Sequence, residues 1–446
     1  HSCVWPEGAD PESWRTARRS EPGEGRPLDQ TPIDEIANAM AVVTELAGGM
    51  SEEEIKRESL ALFGGKRLTQ WYSGYPVCTS SRTALMTGRY PRRHGAGVNT
   101  GDGNALTSLR RDTTTLAVEF AEAGYRTVGI TTNPWVSASF GFDRGFHIYD
   151  DRVGPFALPV ALHPLRVFGW EPLETVHYRT ASEITDAALT QLDGMGDSGW
   201  FLYVHYMDVH GPHVVPQADH DALDLPDDPT YTDTYDAALY RTDRNIGRLL
   251  GQVPSNAWVV VTSDHGEQLT ERREPVEKAP RGVRHGHTLY NELLRVPLMI
   301  KGPGLQPRRV QRLVGLVDIL PTLSAALDLD LEQGMDGYIF PEVEPSAQVP
   351  ADRILLAEGL RWGREQKAAR RGAYKLITDG EDFELYDLQV SPYETTQVGM
   401  AERGSTAILR ELRGAIPAAD AEPVGEAAQL GGDLRALLER LGYTDP

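Results

Sequence analysis

The stretch WVVVTSDHGE, residues 258–267, changes abruptly from apolar to polar side chains. A short, nearly continuous apolar run is typical of a strand that is buried on both faces of a parallel sheet. Ligands of such sheets bind beyond the carboxyl ends of the strands. The stretch therefore predicts a buried strand at Trp258–Thr262 that delivers Asp264 and His265 to a site at the edge of the sheet.

Short apolar strands and amphipathic helices alternate on both sides of this stretch. Strands that alternate with helices predict an α/β fold, in which helices flank both faces of a large, mostly parallel sheet. We expect further strands at Arg126–Ile130, Trp200–Val204 and Val296–Ile300, and helices at Ile36–Leu62, Thr113–Ala123, Ala181–Leu192 and Tyr235–Leu250.

The pattern changes after about residue 345, where Gly and Asp turns separate short strand candidates. These candidates predict a small C-terminal antiparallel sheet, and a short amphipathic helix is expected after it. The strands are Ile354–Ala357, Lys375–Thr378 and Glu384–Tyr386, and the helix is Leu434–Leu441. We therefore expect a poorly ordered segment at 1–35, a catalytic domain at 36–345 and a C-terminal subdomain at 346–446.

Charge and cysteine content exclude several classes of protein. Asp plus Glu number 65 against 44 Lys plus Arg, and the resulting net charge of −21 argues against nucleic-acid binding. No apolar run reaches the roughly 18 residues of a transmembrane helix. No charged segment followed by an apolar one marks a signal peptide, which favours a cytoplasmic location. The two cysteines, Cys3 and Cys78, cannot form a disulfide framework.

The segment YPVCTSSRTALMTGR, residues 75–89, is the strongest candidate for chemistry. A loop delivers Cys78 to a helix that we expect to begin near Ser81, and a helix N-terminus favours an anion. Arg82 adds a permanent cation with a fork of donors. A nucleophile beside an oxyanion site suits phosphoryl or sulfuryl transfer. A buried cysteine before a helix would explain this segment equally well.

Two further polar clusters lie next to predicted strands. Residues 205–213, HYMDVHGPH, follow the strand Trp200–Val204, and residues 284–287, RHGH, precede the strand Val296–Ile300. Each cluster alone is weak evidence, but three such clusters in one sheet protein are harder to attribute to turns.

These segments resemble the motifs of the sulfatase family, within the alkaline phosphatase superfamily. Cys78 to Arg82, continuing to Arg89, resembles the family signature, and residues 262–267, TSDHGE, resemble its metal-binding segment. The likeness extends from about residue 72 to 394 and includes further motifs in the same order: Gly124 to Thr127, Tyr206 to Pro212, His285 to Leu298, and Lys375 to Glu394.

The resemblance implies an alkaline phosphatase-like fold and a sulfuric ester hydrolase. In the family, an enzyme converts the cysteine to formylglycine, whose hydrate attacks the sulfur and later expels sulfate, with a divalent ion, usually Ca²⁺, at the site. It implies that Cys78 is the nucleophile precursor and a metal ligand, and that Arg82 stabilises it. His210 would contact the sulfate or protonate the leaving group. His285 occupies roughly the place of a sulfate-binding lysine.

The same resemblance places Asp264 and His265 at the metal. The partners that it implies are a small-molecule or saccharide sulfate ester and the formylglycine-generating enzyme. The chain departs from the family pattern at Ser80, where proline or alanine is usual, and at Thr131-Thr132-Asn133-Pro134, where many members have Gly-Lys-Trp-His.

No strand ending in two metal-binding aspartates precedes Cys78, although the family begins with one. We therefore expect the natural protein to start upstream of His1, with such a strand. Two alternatives stay open: a phosphonate or phosphate ester hydrolase of the same superfamily, and a non-catalytic sulfatase-like protein.

Overall fold

The computed structural model describes twelve stretches of the chain. The segment 1–35 and the helices expected at 36–62 and 434–441 lie outside these residues. The described stretches are 66–96, 107–153, 178–196, 199–211, 213–269, 284–306, 308–330, 334–362, 364–399, 404–417, 426–428 and 431–432.

Strands and helices alternate through most of these stretches, as the sequence predicts. The strands are β1 Lys66–Tyr72, β2 Thr107–Ser108, β3 Arg126–Ile130, β4 Ile148–Asp150, β5 Trp200–Val204, β6 Val259–Thr262, β7 Leu298–Lys301, β8 Arg308–Gly315, β9 Ile354–Glu358, β10 Lys367–Arg371, β11 Tyr374–Thr378, β12 Phe383–Asp387 and β13 Glu426–Ala427. The helices are α1 Cys78–Thr87, α2 Pro91–His94, α3 Leu116–Glu122, α4 Ala181–Asp193, α5 Gln217–Ala222, α6 Tyr231–Leu250, α7 Asn291–Leu294, α8 Ile319–Ala326 and α9 Ser405–Ala415.

The chain divides into two compact units, and the described residues of the first are 66–71, 243–263, 296–306 and 308–314. Its strands have the order β6-β7-β1-β8. β7 runs antiparallel to both β6 and β1, so the strand expected at Val296–Ile300 exists but is not part of a parallel pairing. Trp71 is fully buried, and its Nε1 donates a 2.9 Å hydrogen bond to Thr262 at the end of β6.

The second unit contains a sheet of three parallel strands, with the order β4-β3-β5. Both pairings of β3 are parallel, and the register places Gly129 beside Tyr149 and Tyr203. Phe120 of α3 stacks on Phe201 of β5 with ring centroids 4.5 Å apart, so α3 covers this sheet. A Cβ at Gly129 would lie 2.5 Å from the Tyr149 ring, which explains the absence of a side chain there.

The C-terminal antiparallel sheet is confirmed, with the strand order β12-β11-β10-β9. Ala369, Leu376 and Leu385 from three neighbouring strands form a buried core with Leu412 of α9. The sequence analysis missed β10, KAARR, because its apolar content is two alanines. Both alanines are buried in the sheet.

Candidate active site

Helix α1 determines where Cys78 and Arg82 lie. The helix begins at Cys78 itself, three residues before the expected start, with Val77 in an extended conformation as its N-cap. Polar side chains stabilise this buried helix by bonding to nearby carbonyls: Ser81 Oγ donates to Tyr75 O at 2.8 Å and Thr83 Oγ1 to Thr79 O at 2.8 Å. Cys78 and Arg82 therefore stand one turn apart on one helix face.

The Cys78 thiol is buried among cationic groups. Its Sγ lies 3.3 Å from Nε2 of His265, and only 5% of the residue is exposed. Burial raises the pKa of this thiol, but the charges of Arg82 and His265 together outweigh burial and hold the pKa well below its usual range. Residue 78 thus stands where a negative charge is stabilised, which is what a nucleophile or metal ligand requires.

Arg82 pairs with Asp264 inside the protein. Nη2 of Arg82 lies 2.8 Å from Oδ2 of Asp264, and the two side chains are 5% and 15% exposed. Burial opposes ionisation of the Asp264 carboxyl, yet Arg82 and then His265 lower its pKa below the usual range. Asp264 is therefore a carboxylate, and it is paired with Arg82, the arginine that lies four residues after Cys78 in the same helix.

His265 contacts both Cys78 and Asp264. Its Nε2 lies 3.4 Å from Oδ2 of Asp264, while its Nδ1–H donates to the carbonyl of Gly266 at 2.8 Å. Burial lowers the pKa of His265, but Asp264 and Cys78 reverse this effect and raise the pKa above its ordinary value.

His285 is held as a cation by Glu267. Its Nδ1 lies 2.8 Å from Oε2 of Glu267, whose Oε1 accepts a 2.8 Å hydrogen bond from the Tyr231 hydroxyl. Burial lowers the pKa of His285, but Glu267 raises it to about 10. In return, His285 overcomes burial and lowers the pKa of Glu267 to about 2. A charged imidazole thus stands beside Cys78, where the family resemblance suggested a replacement for lysine.

His210 completes the ring of side chains around residue 78. Its ring centroid lies 5.2 Å from that of His285, and Nδ1–H donates to Gly211 O at 2.8 Å. Burial and the neighbouring His285 charge lower the pKa of His210. Because Nδ1 carries the proton, Nε2 of neutral His210 can accept a proton but cannot donate one.

All six site residues expected from the sequence lie together. We call this set the Cys78 cluster: Cys78, Arg82, His210, Asp264, His265 and His285. Ligand atoms of Cys78 lie within 4.8 Å of those of His210 and His285 in one group, and of those of Asp264 and His265 in another. Their catalytic roles remain predictions.

Three supporting residues were not assigned roles from the sequence. Glu267 and His205 belong to the polar segments that follow β6 and β5, and this position was the available signal. Nδ1 of His205 lies 3.0 Å from the Thr131 hydroxyl. Burial lowers the pKa of His205 most, and the charge of Arg82 lowers it further, to well below the usual range. Tyr231 lies 36 residues from Glu267 in the chain, so no local pattern could have identified it.

The segment 131–134, which departs from the family pattern, is linked by hydrogen bonds to the start of α1. Asn133 is fully buried and its Oδ1 accepts from the backbone N–H of Trp135 at 2.9 Å. The Trp135 carbonyl in turn accepts a 3.1 Å hydrogen bond from Thr79, the residue after Cys78. The segment thus leads into Trp135, whose backbone carbonyl is bonded to the residue that follows Cys78.

The donor set fits a divalent cation in part. Ligand atoms of Cys78, Asp264 and His265 lie within 4.8 Å of one another, so one ion could contact all three. A Ca²⁺ ion takes about six to eight oxygen ligands. Asp264 supplies the only carboxylate of this group, so further oxygen ligands, such as those of a bound ester, would have to complete the coordination.

Comparison with known protein families identifies the sulfatase family. The family model described as Sulfatase matches residues 47–329. The uncharacterized sulfatase YidJ of Escherichia coli (strain K12) is 24% identical over 329 residues, which cover 61% of this chain and 63% of that protein. The chain therefore matches less than two thirds of the length of this curated relative.

Solved structures share the same fold. Ps i-CgsB in complex with k-i-k-neocarrahexaose aligns with a TM-score of 0.61 and 19% identity, covering 86% of this chain and 90% of that one. The phosphonate monoester hydrolase SpPMH from Silicibacter pomeroyi aligns with a TM-score of 0.53 and 19% identity, covering 78% and 87%. These alignments confirm the alkaline phosphatase-like α/β fold. Among the described residues, none of the helices has the length and hydrophobicity that crossing a membrane requires.

Proposed function

Because the chain belongs to the sulfatase family, we propose that it hydrolyses sulfate esters at the Cys78 cluster. The observation that carries this proposal is the pair of cations beside residue 78: Arg82, in the same helix, and His285, whose ligand atoms lie within 4.8 Å of those of Cys78 and whose pKa is about 10. Two fixed cations in a water-poor site stabilise the charge that develops on a sulfuryl group during transfer.

We propose that residue 78 acts as formylglycine, produced by a formylglycine-generating enzyme. Its hydrate would supply a geminal diol in which one hydroxyl attacks sulfur and the other later expels sulfate. The chain's own contribution is orientation: residue 78 is the first residue of α1, and its neighbours Thr79 and Ser80 are buried and bonded to the carbonyls of Trp135 and Ala96. These contacts fix the direction in which residue 78 points.

Arg82 and His285 hold the sulfuryl oxygens in this account. Glu267 positions His285 by accepting its Nδ1–H, which leaves Nε2–H directed away from Glu267 as the donor to the anion. His210, with a free Nε2 lone pair, is suited to take a proton from the attacking hydroxyl and to return it to the leaving oxygen. This extends the family expectation that His210 serves the leaving group.

Asp264 and His265 would hold the divalent cation, which we propose to be Ca²⁺. When bound, such an ion polarises a sulfuryl oxygen as a Lewis acid. Asp264 must then share its carboxylate with Arg82, from which it is separated by 2.8 Å. Sharing is compatible with the two oxygens of a carboxylate, which together offer about four lone-pair sites.

Parallel assays with an aryl sulfate and an aryl phosphate test the proposal. Both esters are tetrahedral oxyanions, so the comparison asks which charge the site prefers. We expect a higher kcat/KM for the sulfate and no turnover by Cys78→Ala. A preference for the phosphate by roughly tenfold, about 1.4 kcal/mol in transition-state stabilisation, would instead identify a phosphate or phosphonate ester hydrolase. Absence of turnover with both esters would favour the non-catalytic alternative.

A further inference from the structure

Residues 361 and 362 are anchored to the loop that carries His285. The backbone N–H groups of Arg361 and Trp362 both donate to the carbonyl of Gly286, at 2.8 and 2.9 Å. A Cβ at Gly286 would lie 3.4 Å from Arg361 Cβ and 3.4 Å from Cγ2 of Val77, the residue before Cys78. The Arg361 side chain therefore starts beside Gly286, the residue that follows His285 in the chain, and close to Val77, which precedes Cys78.

Two indole rings hold the Arg361 guanidinium. Its Cζ lies 5.0 Å from the ring centroid of Trp135 and 5.2 Å from that of Trp362. Trp135 is buried and bonded through its carbonyl to Thr79, whereas Arg361 and Trp362 remain partly exposed. Contacts with two ring systems restrict the guanidinium to few orientations, so little of its freedom remains to be lost when a ligand binds.

The Arg361 guanidinium and the Trp362 indole together suit a ligand that has an anionic group attached to a sugar ring. A guanidinium presents paired N–H donors that match a carboxylate or a sulfate. The partly exposed indole of Trp362 offers a face on which a sugar ring can pack.

The negative net charge of the protein gives a cation at position 361 a role in the binding of a multiply charged substrate. The chain has a net charge of −21, which disfavours the approach of a substrate that carries several negative charges. Salt screens that repulsion beyond about 8 Å at physiological ionic strength. A cation close to the site can therefore compensate locally for an additional negative group on the substrate.

We propose that Arg361, held between Trp135 and Trp362, binds a second anionic group of a short acidic saccharide whose sulfate ester lies at the Cys78 cluster. The proposal rests on the sulfatase function above and specifies its substrate class. Arg361 is a specificity-determining residue in this proposal, because it contacts a part of the substrate that does not react.

Calorimetric binding to Cys78→Ala protein tests the proposal without depending on turnover. The probes are glucosamine carrying two sulfates and glucosamine carrying one. We expect tighter binding of the disulfated sugar, and loss of that preference by tenfold or more, about 1.4 kcal/mol, when Arg361→Ala is added. Arg361→Lys should keep only part of the preference, because an ammonium lacks the guanidinium fork.

Arg364→Ala is the matched control. Arg364 lies three residues after Arg361, and its exposed side chain pairs with Asp379 and Glu381. We expect Arg364→Ala to retain the preference. An equal loss of affinity for both sugars in the Arg361 variants, an unchanged preference, or no binding of either sugar would overturn the proposal. A protein that shows the preference but cleaves no sulfate ester would contradict the hydrolase function and leave the anion site standing.

Discussion

Replacement of Arg82 by lysine tests whether the shape of this cation matters as well as its charge. Arg82 lies inside the protein, 2.8 Å from Asp264, and its charge is the main influence that lowers the pKa of Cys78 against burial. A planar guanidinium can serve both neighbours at once. A lysine ammonium is a single point charge and would satisfy one of them poorly.

The expected loss follows from one charged hydrogen bond. Such a bond contributes about 1.5–3 kcal/mol, which corresponds to roughly a 10- to 150-fold decrease in kcat/KM for an aryl sulfate. Arg371→Lys serves as the control. Arg371 lies in strand β10 of the C-terminal sheet and forms an exposed pair with Glu411 of helix α9. Exposed pairs contribute about 0–1 kcal/mol, so this variant should stay within about twofold of the wild type. An Arg82→Lys enzyme that is folded and equally active would refute the role assigned to Arg82.

Three further changes have outcomes that the structure determines. Cys78→Ala should abolish hydrolysis while the thermal unfolding transition remains cooperative; residual turnover above background would contradict the nucleophile assignment. In the wild type, the buried Arg353 donates to both carboxylate oxygens of Asp318, at 2.7 and 2.6 Å. Asp318→Ala leaves Arg353 without this counter-ion and should lower the free energy of unfolding, measured with urea, by about 3–5 kcal/mol. Burial raises the pKa of Asp243 to about 6, so the folded state becomes less stable as the pH rises from about 4 to 6. Asp243→Asn should therefore stabilise the protein by about 1–3 kcal/mol at about pH 8 and have no such effect below about pH 4; equal effects at both values would contradict this explanation.

Local patterns in the sequence identified the strands that carry the site. β3 and β5 have the bounds predicted for them, because each is a short apolar run with a clear turn on either side. Cys78 is expected in the loop before a helix and Arg82 inside that helix, whereas the structure places both residues in α1. The start of α1 was harder to place, since Thr79, Ser80 and Ser81 favour turns unless buried carbonyls accept their hydroxyl protons, as happens here.

Long-range pairing could not be read from the sequence. The charge of His285 depends on Glu267, which is 18 residues away, and on the Tyr231 hydroxyl that orients the same carboxylate. The antiparallel pairing of β7 has a similar cause. Its sequence, LMIK, is apolar enough for either strand direction, and the direction is set by neighbours distant in the chain.

The mass of the peptide that contains residue 78, taken from a preparation that hydrolyses an aryl sulfate, tests the central claim most directly. Conversion of the thiomethyl side chain to an aldehyde lowers the mass of that peptide. We predict that the lighter form is present, and that its fraction rises in proportion to the specific activity across preparations. A fully active preparation in which residue 78 is entirely the unmodified thiol would contradict the proposed mechanism.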